Sequence, residues 1–118
     1  MLKQITTISY VVFFALTINS LSAHAQPSPD FITLQRAENL ARQAAEKANG
    51  GLQHYRSSDS MHGPAERSPY TYDGHGTWTF TFTGHSPGSD TPTVESVVTV
   101  SKSGIVNVDY NGPIRPVK

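Results

Sequence analysis

The chain has 118 residues, nine basic and nine acidic residues, and no cysteine. The lack of cysteine excludes disulfides and a cysteine-linked lipid anchor, so stability must come from packing and from the sheet. The balanced charge implies no nucleic-acid partner and no anionic-membrane partner.

The first 25 residues have the three parts of a secretory signal peptide. Lys3 is the positive region, residues 5–21 are mainly apolar, and Ala23 and Ala25 are the small residues that a signal peptidase reads. The alternative is a membrane anchor. It is less favoured, because six Ser, Thr and Asn residues dilute the segment and a spanning helix needs about 20 predominantly apolar residues. We expect cleavage after Ala25, a secreted or periplasmic location in a bacterium, and no stable membrane anchor afterwards.

The remaining chain is long enough for one small domain. Residues 26–30 contain two prolines and would form a flexible leader. We expect a single α+β domain over residues 31–112 and a C-terminal tail over residues 113–118.

An amphipathic helix is predicted to open the domain. Asp30 or Thr33 can cap its first turn, and residues 49–51 (Asn-Gly-Gly) predict its end. Arg42 is four residues from both Glu38 and Glu46, a spacing that predicts ion pairs along the helix. The apolar stripe consists of Leu34, Ala37, Leu40, Ala41, Ala44, Ala45 and Ala48. Since most of these residues are alanine, the helix can lie close to a sheet.

Three runs of alternating residues, 78–83, 94–101 and 105–110, predict strands. Their helix-facing residues would be Trp78, Phe80, Phe82, Val98, Val100, Val106 and Val108, and their outer face would be rich in threonine. Val97 falls in the other phase and would be an outer apolar residue unless a bulge shifts the register. A short fourth strand is expected within residues 52–57. The predicted fold is therefore α+β, with one N-terminal helix packed on a small three- to four-stranded antiparallel sheet.

No catalytic or metal-binding motif stands out. The histidines of the domain are 8, 13 and 10 residues apart, a spacing that matches no zinc pattern. The chain has no Gly-x-Ser-x-Gly elbow, and its loop carboxylates have no partner that would tune them. We expect no enzymatic activity, no cofactor and no metal.

Residues 58–76 form the least regular segment of the domain. Within it Tyr70, Tyr72 and His75 are candidate partner-binding residues, because exposed aromatic side chains are typical of binding surfaces. The alternative is that the segment folds back and the tyrosines cover the open end of a small core. The edge of so small a sheet is a further candidate, since unpaired strand amides and carbonyls can receive an added peptide strand.

The order of these elements resembles the PepSY family of small secreted and periplasmic domains. The resemblance is carried by Ile32-Thr33 with Ala37 and Ala41 at the helix start, by Trp78-Thr79-Phe80, and by Val97-Val98-Thr99-Val100 turning through Ser103-Gly104 into Ile105-Val106. It implies a non-catalytic module that inhibits or regulates a peptidase of the cell envelope, and it identifies no site residue.

Two functions are therefore expected in order of preference. The first is a secreted or periplasmic binding module that engages a protein or peptide, such as an envelope peptidase. The alternative is a small-ligand-binding envelope protein that uses the space between helix and sheet beside Trp78.

Overall fold

The computed structural model describes residues 31–117, in which one helix packs against an antiparallel sheet. The elements are helix α1 (Leu34–Ala48) and strands β1 (Arg56–Ser57), β2 (Tyr70–Tyr72), β3 (Thr77–His85), β4 (Val94–Ser101) and β5 (Val106–Gly112). The predicted α+β class is confirmed. The sheet has five strands instead of three or four, because residues 70–72, predicted as loop, pair with β3. The signal peptide and leader predicted for residues 1–30 lie outside the described part of the chain.

Helix α1 begins and ends at capping residues. The Oγ1 atom of Thr33 accepts a hydrogen bond from the N–H of Arg36 at 3.1 Å, so Thr33 is the N-cap. At the other end the N–H of Asn49 donates to the carbonyl of Ala45. The two glycines that follow both have φ of 92°, a conformation that favours glycine and ends the helix.

The helix buries a narrower stripe than the sequence predicts. Its fully buried apolar residues are Ala37, Ala41 and Ala45, whereas Ala48 is exposed. Glu38 is also fully buried, and its Oε1 atom accepts a hydrogen bond from Gln35 at 2.7 Å. Of the two ion pairs expected for Arg42, the one with Glu46 forms, at 3.5 Å, and the one with Glu38 does not. In residues 31–117, no helix is long and apolar enough to cross a membrane.

Strand β3 is the centre of the sheet. One of its edges pairs with β4 along its whole length, from Thr77 opposite Ser101 to Gly84 opposite Val94. The other edge pairs with β2 near its start and with β1 at its end. Strand β5 follows β4 through a tight turn in which Gly104 has φ of 91°, a conformation that favours glycine. All neighbouring strands are antiparallel.

The aromatic row of β3 fills the core, as predicted. Trp78, Phe80 and Phe82 are buried together with Val98 and Val100 of β4. Val108 lies opposite Val98 and so is on the helix side, as predicted, but its side chain is 42% exposed. Since β5 is the outermost strand, its helix-side residues are covered from one flank only.

A β-bulge sets the end of β5. Val97 lies opposite Tyr110 and Val98 opposite Val108, which leaves Asp109 without a partner on β4. Because Asp109 is an extra residue in β5, the side-chain alternation shifts by one, and Asn111, opposite Ser96, lies on the helix side. There its Oδ1 atom accepts a hydrogen bond from the hydroxyl of Ser96 at 2.7 Å.

The segment between α1 and β2 is a cover for the core and not an open loop. It contains 3₁₀ turns at Asp59–Met61 and Ala65–Arg67, in which Met61 and Ala65 are fully buried. Arg42 donates from Nη1 to the carbonyl of Met61 at 2.9 Å, and the N–H of Ala65 donates to Oε1 of Gln35 at 3.2 Å. The segment is thereby attached to α1, and the two together close the helix side of the sheet.

Candidate partner-binding site

Two of the surface clefts lie at opposite ends of β3. The cleft beside Thr77, where β3 begins, has a volume of about 430 Å³ and is lined by aromatic and basic side chains. The cleft beside His85, where β3 ends, has a volume of about 560 Å³ and is lined mainly by polar loop residues. Neither is lined by a residue of helix α1.

We call the first cleft the Lys102 site and define it by Phe31, Tyr72, His75 and Lys102. The Nζ atom of Lys102 lies 5.6 Å from the ring centroid of Phe31 and 5.5 Å from that of Tyr72. Phe31 is 69% exposed and Tyr72 is 42% exposed. The site is therefore a cation between two accessible aromatic rings, an arrangement that cation–π attraction stabilises.

The backbone of Lys102 is held from both sides. Its N–H donates to the carbonyl of Gly76 at 2.8 Å, and its own carbonyl accepts from the N–H of Ile32 at 2.8 Å. These bonds join the β4–β5 turn to the β2–β3 turn and to the segment that enters α1. Gly76 has φ of 101°, and the Cδ atom of Lys102 passes 3.9 Å from where a Cβ atom at Gly76 would stand. The side chain of Lys102 thus passes over Gly76 at the end of the sheet.

Asp73 shapes the turn that carries His75 into the site. Its Oδ1 atom accepts from the N–H of His75 at 2.7 Å and from the N–H of Thr77 at 3.1 Å. These two hydrogen bonds favour the charged form and hold the pKa of the Asp73 carboxyl below its ordinary value. The charged carboxylate therefore fixes the β2–β3 turn beside the site.

Lys102 has no acidic partner among the described residues. The ion pairs found within residues 31–117 join Arg42 to Glu46 and Arg115 to Glu95, and neither involves Lys102. An ammonium group with no carboxylate beside it, next to exposed apolar surface, can receive a carboxylate from a ligand through a charge-assisted hydrogen bond.

The structure brings two of the three predicted site residues together. Tyr72 and His75 both line the Lys102 site. Tyr70 does not, because it is half-buried with its ring centroid 6.1 Å from that of Phe80. Tyr72 contacts the site and also covers the core, with its ring 5.8 Å from that of Trp78. Both tyrosines thus cover core residues, as the alternative interpretation predicts, and partner binding by Tyr72 and His75 stays a prediction.

Sequence reasoning missed Phe31 and Lys102. Phe31 could have been noticed as a large apolar residue that lies ahead of the helix cap. Lys102 gave no signal, since a lysine in a hairpin turn is ordinary and its two aromatic neighbours come from other segments of the chain.

The second cleft contains a serine–histidine contact. The hydroxyl of Ser57 lies 3.0 Å from Nε2 of His62. Ser57 is only 3% exposed, so its oxygen is poorly placed to reach a substrate, and we interpret the contact as structural. Within residues 31–117, no three His, Asp or Glu side chains are grouped so that they could hold a metal ion.

The fold and this surface define the chain as a small α+β domain with an aromatic–lysine cleft at one end of its sheet. A scan against protein-family models, a search of curated proteins and a search of solved structures each found no match.

Proposed function

We propose that this protein is a secreted or periplasmic, non-catalytic binding module that engages an extended segment of a partner protein at the Lys102 site. The observation that carries the proposal is the position of Lys102, whose Nζ atom lies between two exposed rings and has no acidic partner among the described residues. Aromatic residues combined with a cation are typical of binding surfaces.

The PepSY-like order of elements supports a role as an inhibitor or regulator, with an envelope peptidase as the class of partner. The Lys102 site is an open cleft at a sheet end, where a segment of a partner chain can lie. Secretion rests on the signal-peptide pattern of residues 1–25.

A site for a small ligand between helix and sheet stays a prediction with less support. The clefts described above are lined by strand ends and turns, and none is lined by a residue of α1. The space beside Trp78 is filled, since Trp78 is 8% exposed and Tyr72 covers it.

A displayed library of random peptides, selected on the immobilised protein, tests the proposal. We expect enriched peptides whose affinity falls about tenfold for Lys102→Met and for Phe31→Ala, a change of about 1.4 kcal/mol in binding free energy. Lys47→Met is the matched control, because Lys47 is an exposed lysine on α1 outside the site. Failure to enrich any peptide would overturn the proposal. So would enriched peptides that bind Lys102→Met and Phe31→Ala as tightly as the wild type.

A further inference from the structure

The free edge of β2 lies beside the Lys102 site. β2 pairs with β3 on one side and with no other strand of the described chain. The N–H of Asp73 donates to the carbonyl of Thr77 at 3.1 Å, and the N–H of Thr81 donates to the carbonyl of Pro69 at 3.1 Å. Hydrogen-bonded and non-hydrogen-bonded pairs alternate along an antiparallel ladder. The backbone groups of Tyr70 and Tyr72 therefore point away from β3, toward the free edge.

Three of these backbone groups are available to a ligand. The N–H of Tyr70 is used locally, by the carbonyl of Ser68 at 2.9 Å. The carbonyl of Tyr70 and both the N–H and the carbonyl of Tyr72 have no backbone partner among the described residues. Tyr72 can thus exchange two hydrogen bonds with one residue of an added antiparallel strand.

The side chains of β2 determine which ligand side chains would fit opposite them. Tyr70 and Tyr72 lie opposite Phe80 and Trp78, so their rings are on the helix side of the sheet. Residues directly opposite each other on adjacent antiparallel strands have Cβ atoms about 5 Å apart on the same face. A ligand side chain opposite Tyr72 would therefore lie beside the Tyr72 ring, whose centroid is 5.5 Å from the Nζ atom of Lys102.

The other two sheet edges are less suited to strand addition. β1 has only two residues. On β5 the bulge leaves exposed Asp109 without a partner, and a bulge and a charge on an edge strand both oppose further pairing.

We propose that the partner segment adds to Tyr70–Tyr72 as an antiparallel strand, with an acidic side chain opposite Tyr72 bound by Lys102 and an apolar side chain opposite Tyr70. This inference rests on the proposed function and names the ligand of the same site. Because antiparallel pairing reverses direction, the segment reads Glu-x-apolar from its N-terminus. The apolar residue lies beside Tyr70, which is half-buried against Phe80, and the middle residue points to the outer face beside Thr71.

The test uses a blocked heptapeptide, acetyl-Ser-Thr-Glu-Thr-Leu-Thr-Ser-amide, and isothermal titration against the purified protein. We expect Lys102→Met and the Glu-to-Gln peptide each to weaken binding about tenfold, with no further loss when the two changes are combined. N-methylation of the glutamate amide should weaken binding about as much, since it removes the hydrogen bond to the carbonyl of Tyr72. Lys47→Met should bind like the wild type.

Hydrogen exchange gives a second readout. The N–H of Tyr72 should become protected when the heptapeptide binds, whereas the N–H of Thr71, which faces β3, should keep its protection. If library peptides bind through Lys102 but the N-methylated peptide binds equally well and Tyr72 is not protected, strand addition is wrong and the proposed function stands. If the Gln peptide binds as well as the Glu peptide, the acidic assignment is wrong. If no peptide binds at the site, both proposals fail.

Discussion

The aromatic ring of Tyr55 lies directly on the Cα atom of Gly84. A Cβ atom built at Gly84 would overlap the ring atoms Cε1 and Cζ of Tyr55. Tyr55 is 1% exposed and belongs to the core cluster, although it comes from the segment just before β1. The missing side chain at Gly84 therefore makes room for a tyrosine that closes the core at the end of β3 opposite the Lys102 site.

Gly84→Ala should strongly destabilise the domain. The ring of Tyr55 must move or β3 must shift, and overpacking of this kind typically costs about 1–3 kcal/mol of unfolding free energy. Urea denaturation measures the change. Gly63→Ala is the matched control, because a Cβ atom at Gly63 meets nothing within 4 Å, and it should change stability by less than about 0.5 kcal/mol. Equal stability of the two variants would show that the ring has an alternative position.

The parts of the fold that the sequence predicts are those encoded by neighbouring residues. The alternation around Phe80 and Val98 requires strands, and both residues are fully buried. Thr33 marks the start of the helix and the glycines after Asn49 mark its end, since each end depends on only one or two residues. The helix and the three long strands follow from such local patterns.

The remaining features depend on contacts between distant residues. The strand Tyr70–Tyr72 is too short to show a pattern and forms because β3 offers an edge. Val108 alternates correctly but lies on an outermost strand, so its exposure depends on the sheet order. The Lys102 site joins three separate segments, and no spacing in the sequence indicates that Phe31 and Tyr72 meet at one lysine.

Two asparagines connect the end of the helix to the last strand. Asn49 donates from Nδ2 to Oδ1 of Asn111 at 3.0 Å, and Asn111 donates from Nδ2 to Oδ1 of Asn49 at 3.0 Å. Asn111→Ala should lower the unfolding free energy by about 1–3 kcal/mol, because the Oδ1 atom of Asn49 and the hydroxyl of Ser96 lose the hydrogen bonds that Asn111 makes with them.

A double-mutant cycle with Asn49→Ala separates the mutual pair from other effects. Residues that share hydrogen bonds typically show coupling of about 0.5–3 kcal/mol. Additive losses from the two substitutions would mean that the amide pair does not stabilise the packing of α1 on β5.

Glu38 is a fully buried carboxylate whose Oε2 atom has no hydrogen-bond partner. Removing a charge from water without full compensation is unfavourable. Glu38→Gln keeps the shape, removes the charge and can still accept the hydrogen bond from Gln35. Its amide nitrogen takes the position of Oε2, where no partner is present, so we expect the unfolding free energy at neutral pH to rise by at most about 1 kcal/mol. The measurement is urea denaturation at pH 7, with Glu66→Gln on the exposed surface as the control. A clear loss of stability in Glu38→Gln would show that the charge itself is required in the core.

The lowered pKa of Asp73 makes the stability of the domain depend on pH in the acid range. The pKa is lowered by hydrogen bonds from the N–H groups of His75 and Thr77, so the folded state binds its proton less tightly than the unfolded chain does. The stabilisation is therefore complete above the pKa of aspartate in the unfolded chain, about 3.9, and is lost as the pH falls through the lower value of the folded protein.

Asp73→Asn isolates this contribution. Arg115 lowers the pKa of Glu95 in the same way, so wild type and variant share that acid dependence and it cancels in their difference. Urea denaturation from about pH 2 to pH 7 should show a stability difference that is constant above about pH 5 and shrinks as the pH falls below the unfolded-state pKa. Because Asp73 fixes the turn next to Lys102, the variant should also bind the heptapeptide more weakly at neutral pH. A difference that does not change with pH would mean that the carboxylate charge does not hold the turn.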